Sequence, residues 1–174
     1  MKNMVLLFLI SWLPLMAERP VDLVIFSYDR PMQLYALLES CEQNIAGINE
    51  MHLIYRTSNA NFDAGYEKVF QRFQGLIRHH QSDNPKQDFK PLVLKSVFSK
   101  NSRAPYVMFA VDDIIVSGPV DLQYCVDALK VSKAYAFFLR LGKNITSCYM
   151  RNKSTPVPRG KEFQHNFFVW KFVF

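Results

Sequence analysis

Short apolar runs alternate along this chain with longer segments whose apolar residues recur at helical spacing, and no other feature narrows the fold as much. Val21–Ser27 (VDLVIFS), Met51–Tyr55 (MHLIY) and Tyr106–Val111 (YVMFAV) read as strands. Between the first two, Asp29-Arg30-Pro31 punctuates, and Leu34, Leu37, Leu38, Cys41 and Ile45 then fall on one helical face. Past the polar loop RTSNAN, residues Phe62, Tyr66, Val69, Phe70, Phe73 and Ile77 repeat that pattern; Gly75 weakens the end, and LIRHH is a candidate strand. The next helix has Asp88 as its candidate cap, Pro91 in its first turn, and Leu94, Val97 and Phe98 facing inward. A fourth helix over Asp121–Lys130 buries Leu122, Cys125, Val126 and Leu129, and Ala134–Leu141 is strand again. Near-continuous apolar strands, joined by segments long enough to cross a sheet, predict an α/β fold. Its sheet is mostly parallel, with helices on both faces and Tyr106–Val111 as a central strand.

The 174 residues suit one domain, expected over 18–174, with a regular part at 21–141 and an irregular tail at 142–174. That tail ends in FFVWKFVF, either a last strand completing the sheet edge or a run left unmatched by truncation. Residues 1–17 form a hydrophobic, signal-like or membrane-associated segment. A membrane-associated or exported protein is therefore expected, with a cytoplasmic one as the alternative. An apolar fraction of 49% excludes a disordered chain. The net charge of +6 comes without a stripe of Lys and Arg, which argues against nucleic acid and suits a small anionic substrate. Three separated cysteines give no disulfide framework, and Cys41 and Cys125 read as buried small hydrophobes. His79 and His80 are adjacent, so on a strand they point to opposite faces; both read as edge or surface residues without a shared metal.

The apolar run YVMFAV leads straight into Asp112 and Asp113. At the carboxyl end of a parallel strand these side chains face the crevice where open α/β sheets bind ligands. Adjacent carboxylates repel and lose hydration there unless a cation or hydrogen-bond donors compensate them. A divalent ion bridging to phosphate oxygens is one solution, and a solvated turn or helix cap is the other. FSYDRP, Phe26–Pro31, follows the first strand in the same way. Ser27 and Asp29 suit ribose or base groups, and Arg30 offers a planar fork for a diphosphate. Equally, Asp29 could cap the helix and Arg30 could be a surface charge.

The ordered set FSYDRPMQLYALLES, LIYRTSN and YVMFAVDD resembles the GT-A fold glycosyltransferases that use nucleotide sugars, those of the inverting family 2 kind and its relatives. The resemblance covers roughly Val21–Leu141 and implies a Rossmann-like fold. It further implies that Ser27, Tyr28, Asp29 and Arg30 meet the nucleotide, and that Asp113 touches Mn²⁺ or Mg²⁺ with Asp112 beside the sugar or ribose. The implied partners are a nucleoside-diphosphate sugar, for example a UDP-sugar, and a carbohydrate or glycoconjugate acceptor. Two positions depart from the pattern. Val111 stands where an Asp-x-Asp motif begins with a carboxylate, and YRTSN lacks an acidic residue at the second strand's tip. Arg56, Ser58 or Asn59 are the substitutes there, and Arg56 can also meet phosphate. A general base is expected after Leu141, where Glu162 and His165 are the candidates and neither is supported by its placement. Two other readings stay open. A sugar-phosphate nucleotidyltransferase would carry a glycine-rich phosphate loop, which FSYDRP lacks. A non-catalytic nucleotide- or carbohydrate-binding protein would fit Val111 and the unassigned base.

Overall fold

The computed structural model describes residues 19–139, 146–148, 150, 152–154, 160–163 and 167–170. Four parallel strands carry the architecture: β1 (Val21–Tyr28), β3 (Ile48–Arg56), β4 (Leu76–His80) and β5 (Tyr106–Val111), in the order β4-β3-β1-β5. A two-residue strand β2 (Ile45–Ala46) precedes β3 and pairs with β6 (Val120–Asp121). The helices are α1 (Pro31–Asn44), α2 (Ala60–Arg72), α3 (Pro85–Val97) and α4 (Leu122–Ser132).

The chain steps from β1 to β3 to β4 in one direction, then returns past β1 to lay down β5 on its far side. Crossovers between parallel strands are right-handed, so reversing direction also changes the face on which the connecting helix lies. Accordingly α1 and α2 cover one face, while α3 covers the other and sets Phe89 against Phe26 of β1 at 5.4 Å between ring centres. The reversal leaves a switch point between β1 and β5, and a crevice opens beyond the strand ends there.

Alternation along the strands sorts side chains between the two faces. Leu23, Ile25 and Leu53 pack against Leu34, Leu37, Leu38 and Cys41 of α1 and Tyr66, Val69 and Phe70 of α2. This is the main core, and every one of these helix positions fits the helical spacing of the sequence. Leu122 and Val126 of α4 close a smaller cluster with Val21.

Several expectations are corrected. Tyr106–Val111 is a strand, but β5 lies at one edge of the described four-stranded sheet and β1 is interior; Phe109 and Val111 are accordingly exposed. Helix α2 stops at Arg72, and Ile77 belongs to β4. Helix α3 begins at Pro85, where the ring is preset for a first turn, so Pro91 sits inside the helix instead of at its start. Asp88 does not cap it; its carboxylate folds back to accept from the Ser82 amide. Leu94 and Phe98 are exposed, and Ser96 is the residue that α3 buries. Ala134–Leu139 forms no strand. Beyond it are two short antiparallel pairs: β7 (Ser147–Cys148) with β8 (Lys153–Ser154), and β9 (Gly160–Phe163) with β10 (Phe167–Trp170). The apolar run at Phe167 thus pairs locally with β9. Residues 1–18 lie outside the described part. Among the described residues, no helix is long and apolar enough to cross a membrane.

Candidate functional site

Parallel registry fixes which side chains meet at the strand tips. Tyr28 lies beside Arg56, Ser27 beside Tyr55, and Phe26 beside both Ile54 and Val111. The Asp112 amide adds one more rung by donating to the Phe26 carbonyl at 3.3 Å. A cavity of about 400 Å³ opens at this point. Phe26, Ile54, Phe89 and Val111 form its apolar wall, and Ser27, Tyr28, Arg30, Gln81, Asp112 and Asp113 bring polar groups. Five of the seven residues expected to bind ligand or metal therefore share one cavity.

The two aspartates differ sharply. Asp112 is only 5% exposed and its carboxylate is held from below, with Ser27 Oγ donating to Oδ2 at 2.7 Å. Asp113, one residue further into the turn, keeps 57% of its side-chain surface exposed. Arg30 reaches across from the first turn and holds both, Nη1 lying 3.6 Å from Asp112 Oδ1 and 3.9 Å from Asp113 Oδ2. Those separations are loose for an ion pair, and the arginine is half exposed, so its fork is available to an anion.

Asp29 adopts the left-handed conformation, φ 54°, which Asp tolerates better than most residues. Its Oδ1 accepts from the Ser58 amide at 2.7 Å, and its own amide donates to the Arg56 carbonyl at 3.3 Å. It thus ties the β1 turn to the β3 loop and does not line the cavity. Arg30, not Asp29, occupies the cap position of α1. Arg56 also stays outside the cavity lining: its guanidinium lies 5.3 Å from the Tyr28 ring centre and pairs with Asp83 at 3.7 Å. Asn59 caps α2, accepting from the Asn61 and Phe62 amides. Glu162 falls in β9, and His165 lies outside the described residues.

Three features escaped the sequence reading. Phe89, Ile54 and Gln81 come to the cavity only through the return of α3 and the registry of β3 and β4. Tyr66 is buried in the core, yet its hydroxyl contacts Ser27 Oγ at 2.5 Å and accepts from the Arg30 amide at 3.3 Å. Burial pushes its pKa up, and the hydrogen bonds with Ser27 and Arg30 partly oppose that. A buried tyrosine needs a partner for its hydroxyl, which was the available signal. The third feature lies toward the opposite end of the sheet. Asp22, Glu50 and His52 place ligand atoms within 4.8 Å of one another, near enough for one cation. Asp22 accepts from the Glu50 amide, Asn49 and Ser102, and His52 bridges Glu50 at 3.1 Å and His79 at 3.3 Å. His79 thus lies on the edge strand β4 but is buried instead of on the surface, and burial pushes its pKa down. His80 faces the other side, against Tyr55, as alternation requires.

No family model matches the chain. It is 27% identical over 150 residues to the bifunctional glycosyltransferase pgtA of Dictyostelium discoideum, an overlap of 81% of this chain and 19% of that relative. The chain therefore spans about a fifth of the protein it matches. Its α/β architecture, with a parallel sheet and helices on both faces, is compatible with a Rossmann-like glycosyltransferase fold.

Proposed function

We propose that this chain binds a nucleoside-diphosphate sugar in the cavity at the β1–β5 switch point and acts in metal-dependent transfer of the sugar to an acceptor hydroxyl. One observation carries the reading: Ser27, Arg30, Asp112 and Asp113, drawn from two turns far apart in sequence, meet at one crevice. The likeness to a glycosyltransferase over most of the chain supports the same class.

The chemistry of the donor set suits Mg²⁺ or Mn²⁺, since adjacent hard carboxylate oxygens with an open side leave room for phosphate oxygens and water. Asp113 would hold the ion, with Asp112 Oδ1 behind it. When bound, such an ion neutralises charge on the departing diphosphate. Arg30 binds the same diphosphate through its planar fork. The N-terminus of α1 adds favourable dipole potential for an anion at this turn. Tyr28, backed by Arg56, and the Phe26–Phe89 wall offer flat surfaces for a nucleoside such as uridine. Transfer forms a bond from the acceptor oxygen to the anomeric carbon as the bond to the diphosphate breaks, and a base takes the acceptor proton. Neither Glu162 nor His165 is assigned that role.

Calorimetric titration with UDP and other nucleoside diphosphates, with and without Mn²⁺, tests the reading. Binding that requires the metal is expected, and failure of every nucleoside diphosphate to bind would remove it. Tight metal-dependent binding without turnover, in a chain supplied with donor and acceptor, would favour a non-catalytic binding protein.

A further inference from the structure

Tyr66 has the spacing of a core residue and a ring with no exposed surface, but its hydroxyl does not belong to the core. It stands between two groups of the candidate site, Ser27 Oγ at 2.5 Å and the Arg30 amide at 3.3 Å. The direction of every hydrogen bond in this row can be worked out. The Ser27 hydroxyl donates to Asp112 Oδ2, so its proton points there. Ser27 Oγ then offers a lone pair to Tyr66, so the phenol donates to it. The Arg30 amide can only donate, and it donates to the phenol oxygen. The row reads Arg30 amide to Tyr66 to Ser27 to Asp112, with each proton placed.

We propose that Tyr66 is a positioning residue for the diphosphate and its cation, an inference that rests on the functional reading of the cavity. The phenol holds both ends of the turn after β1 and reaches the second turn through Ser27. On one side it fixes the amide that starts α1, and so the origin of the Arg30 side chain. On the other it orients the Ser27 hydroxyl, which in turn sets the carboxylate plane of Asp112 and leaves Oδ1 facing Arg30 at 3.6 Å. Without the phenol the Ser27 oxygen loses a donor and keeps only its bond to Asp112, and the part-buried Arg30 amide loses its acceptor. Linked hydrogen bonds in a buried row support one another, so the loss is felt at both ends.

The test is Tyr66→Phe in the full chain, which keeps the ring and removes only the hydroxyl. Two readouts separate positioning from packing. By NMR, amide exchange at Arg30 should quicken by about tenfold or more, while the amides of the β1 core keep their protection. By calorimetry, UDP affinity in the presence of Mn²⁺ should weaken by about tenfold. In a Ser27→Ala background the same substitution should cost less than in the wild type, because only the Arg30 arm of the row is left to lose. Unchanged UDP affinity, or an equal loss in both backgrounds, overturns the inference while the cavity reading stands. A wild-type chain that binds no nucleoside diphosphate overturns that reading and the inference with it. A Tyr66→Phe chain with general loss of exchange protection makes the residue a packing element and overturns the positioning role.

Discussion

Asp112 and Asp113 are neighbours in sequence with opposite environments. Asp112 is enclosed and hydrogen-bonded by Ser27; Asp113 is open. Replacing Ser27 with Ala leaves a buried carboxylate oxygen without its donor and should cost about 1–3 kcal/mol, read by urea unfolding. FSYDRP and VDD line one cavity because both motifs end parallel strands, where topology alone brings side chains together. Asp29 and Arg56 lie outside that lining because their polar groups join the loops to each other, and the Tyr66 hydroxyl was not legible because its ring fits an apolar stripe. The histidine row was invisible because His52 and His79 meet only through the pairing of β3 with β4. For the cysteines, burial pushes the Cys41 thiol up to about 11 and raises Cys125 as well. Both folded thiols hold their protons above the ordinary value, so this contribution is complete below about pH 9 and fades as pH rises toward the folded value. Neither should react with a thiol reagent at neutral pH until the chain unfolds, which a colorimetric titration with and without denaturant measures.

Helix α2 is the element through which the site is held. Its cap, Asn59, accepts from two amides of the first turn, and Asn59→Ala should cost about 0.5–2 kcal/mol of stability. One turn further in, Gly65 lies against Pro31, and a β-carbon there would come within 2.6 Å of the Pro31 ring. Ordinarily Gly→Ala in a helix gains up to about 1 kcal/mol. Here a rigid ring must move, and the overpacking should cost about 1–3 kcal/mol, lowering the melting temperature. Because Pro31 follows Arg30, the same substitution should also weaken nucleotide binding. Periodicity located α1, α2 and α4 because each buries one clear apolar stripe. It misread α3, whose apolar positions are half on the surface and whose start is set by Pro85. It misread Ala134–Leu139 as well, since an apolar composition does not by itself supply a pairing partner.

Across the molecule, the chain's reversal between β4 and β5 does most to create the site. That reversal puts α3 on the second face, opens the crevice beside β1, and supplies the aromatic wall on one side and the carboxylates on the other. Sheet class and helix placement were legible because apolar strands separated by crossover-length segments allow few topologies. Strand order was not, since β1 and β5 carry similar apolar runs and only folding decides which becomes the edge. A parallel sheet with this crevice fits many nucleotide-using proteins, so the assignment rests on the side chains at the mouth. Of these, Asp113 is both exposed and unneeded for the buried hydrogen-bond row, which makes it the cleanest probe. The decisive measurement is the affinity of the Asp113→Asn chain for UDP, with and without Mn²⁺, beside the wild type. The wild type should bind more tightly with the metal, and the variant should lose that increment while its melting temperature holds. A variant that keeps metal-dependent binding would contradict the account.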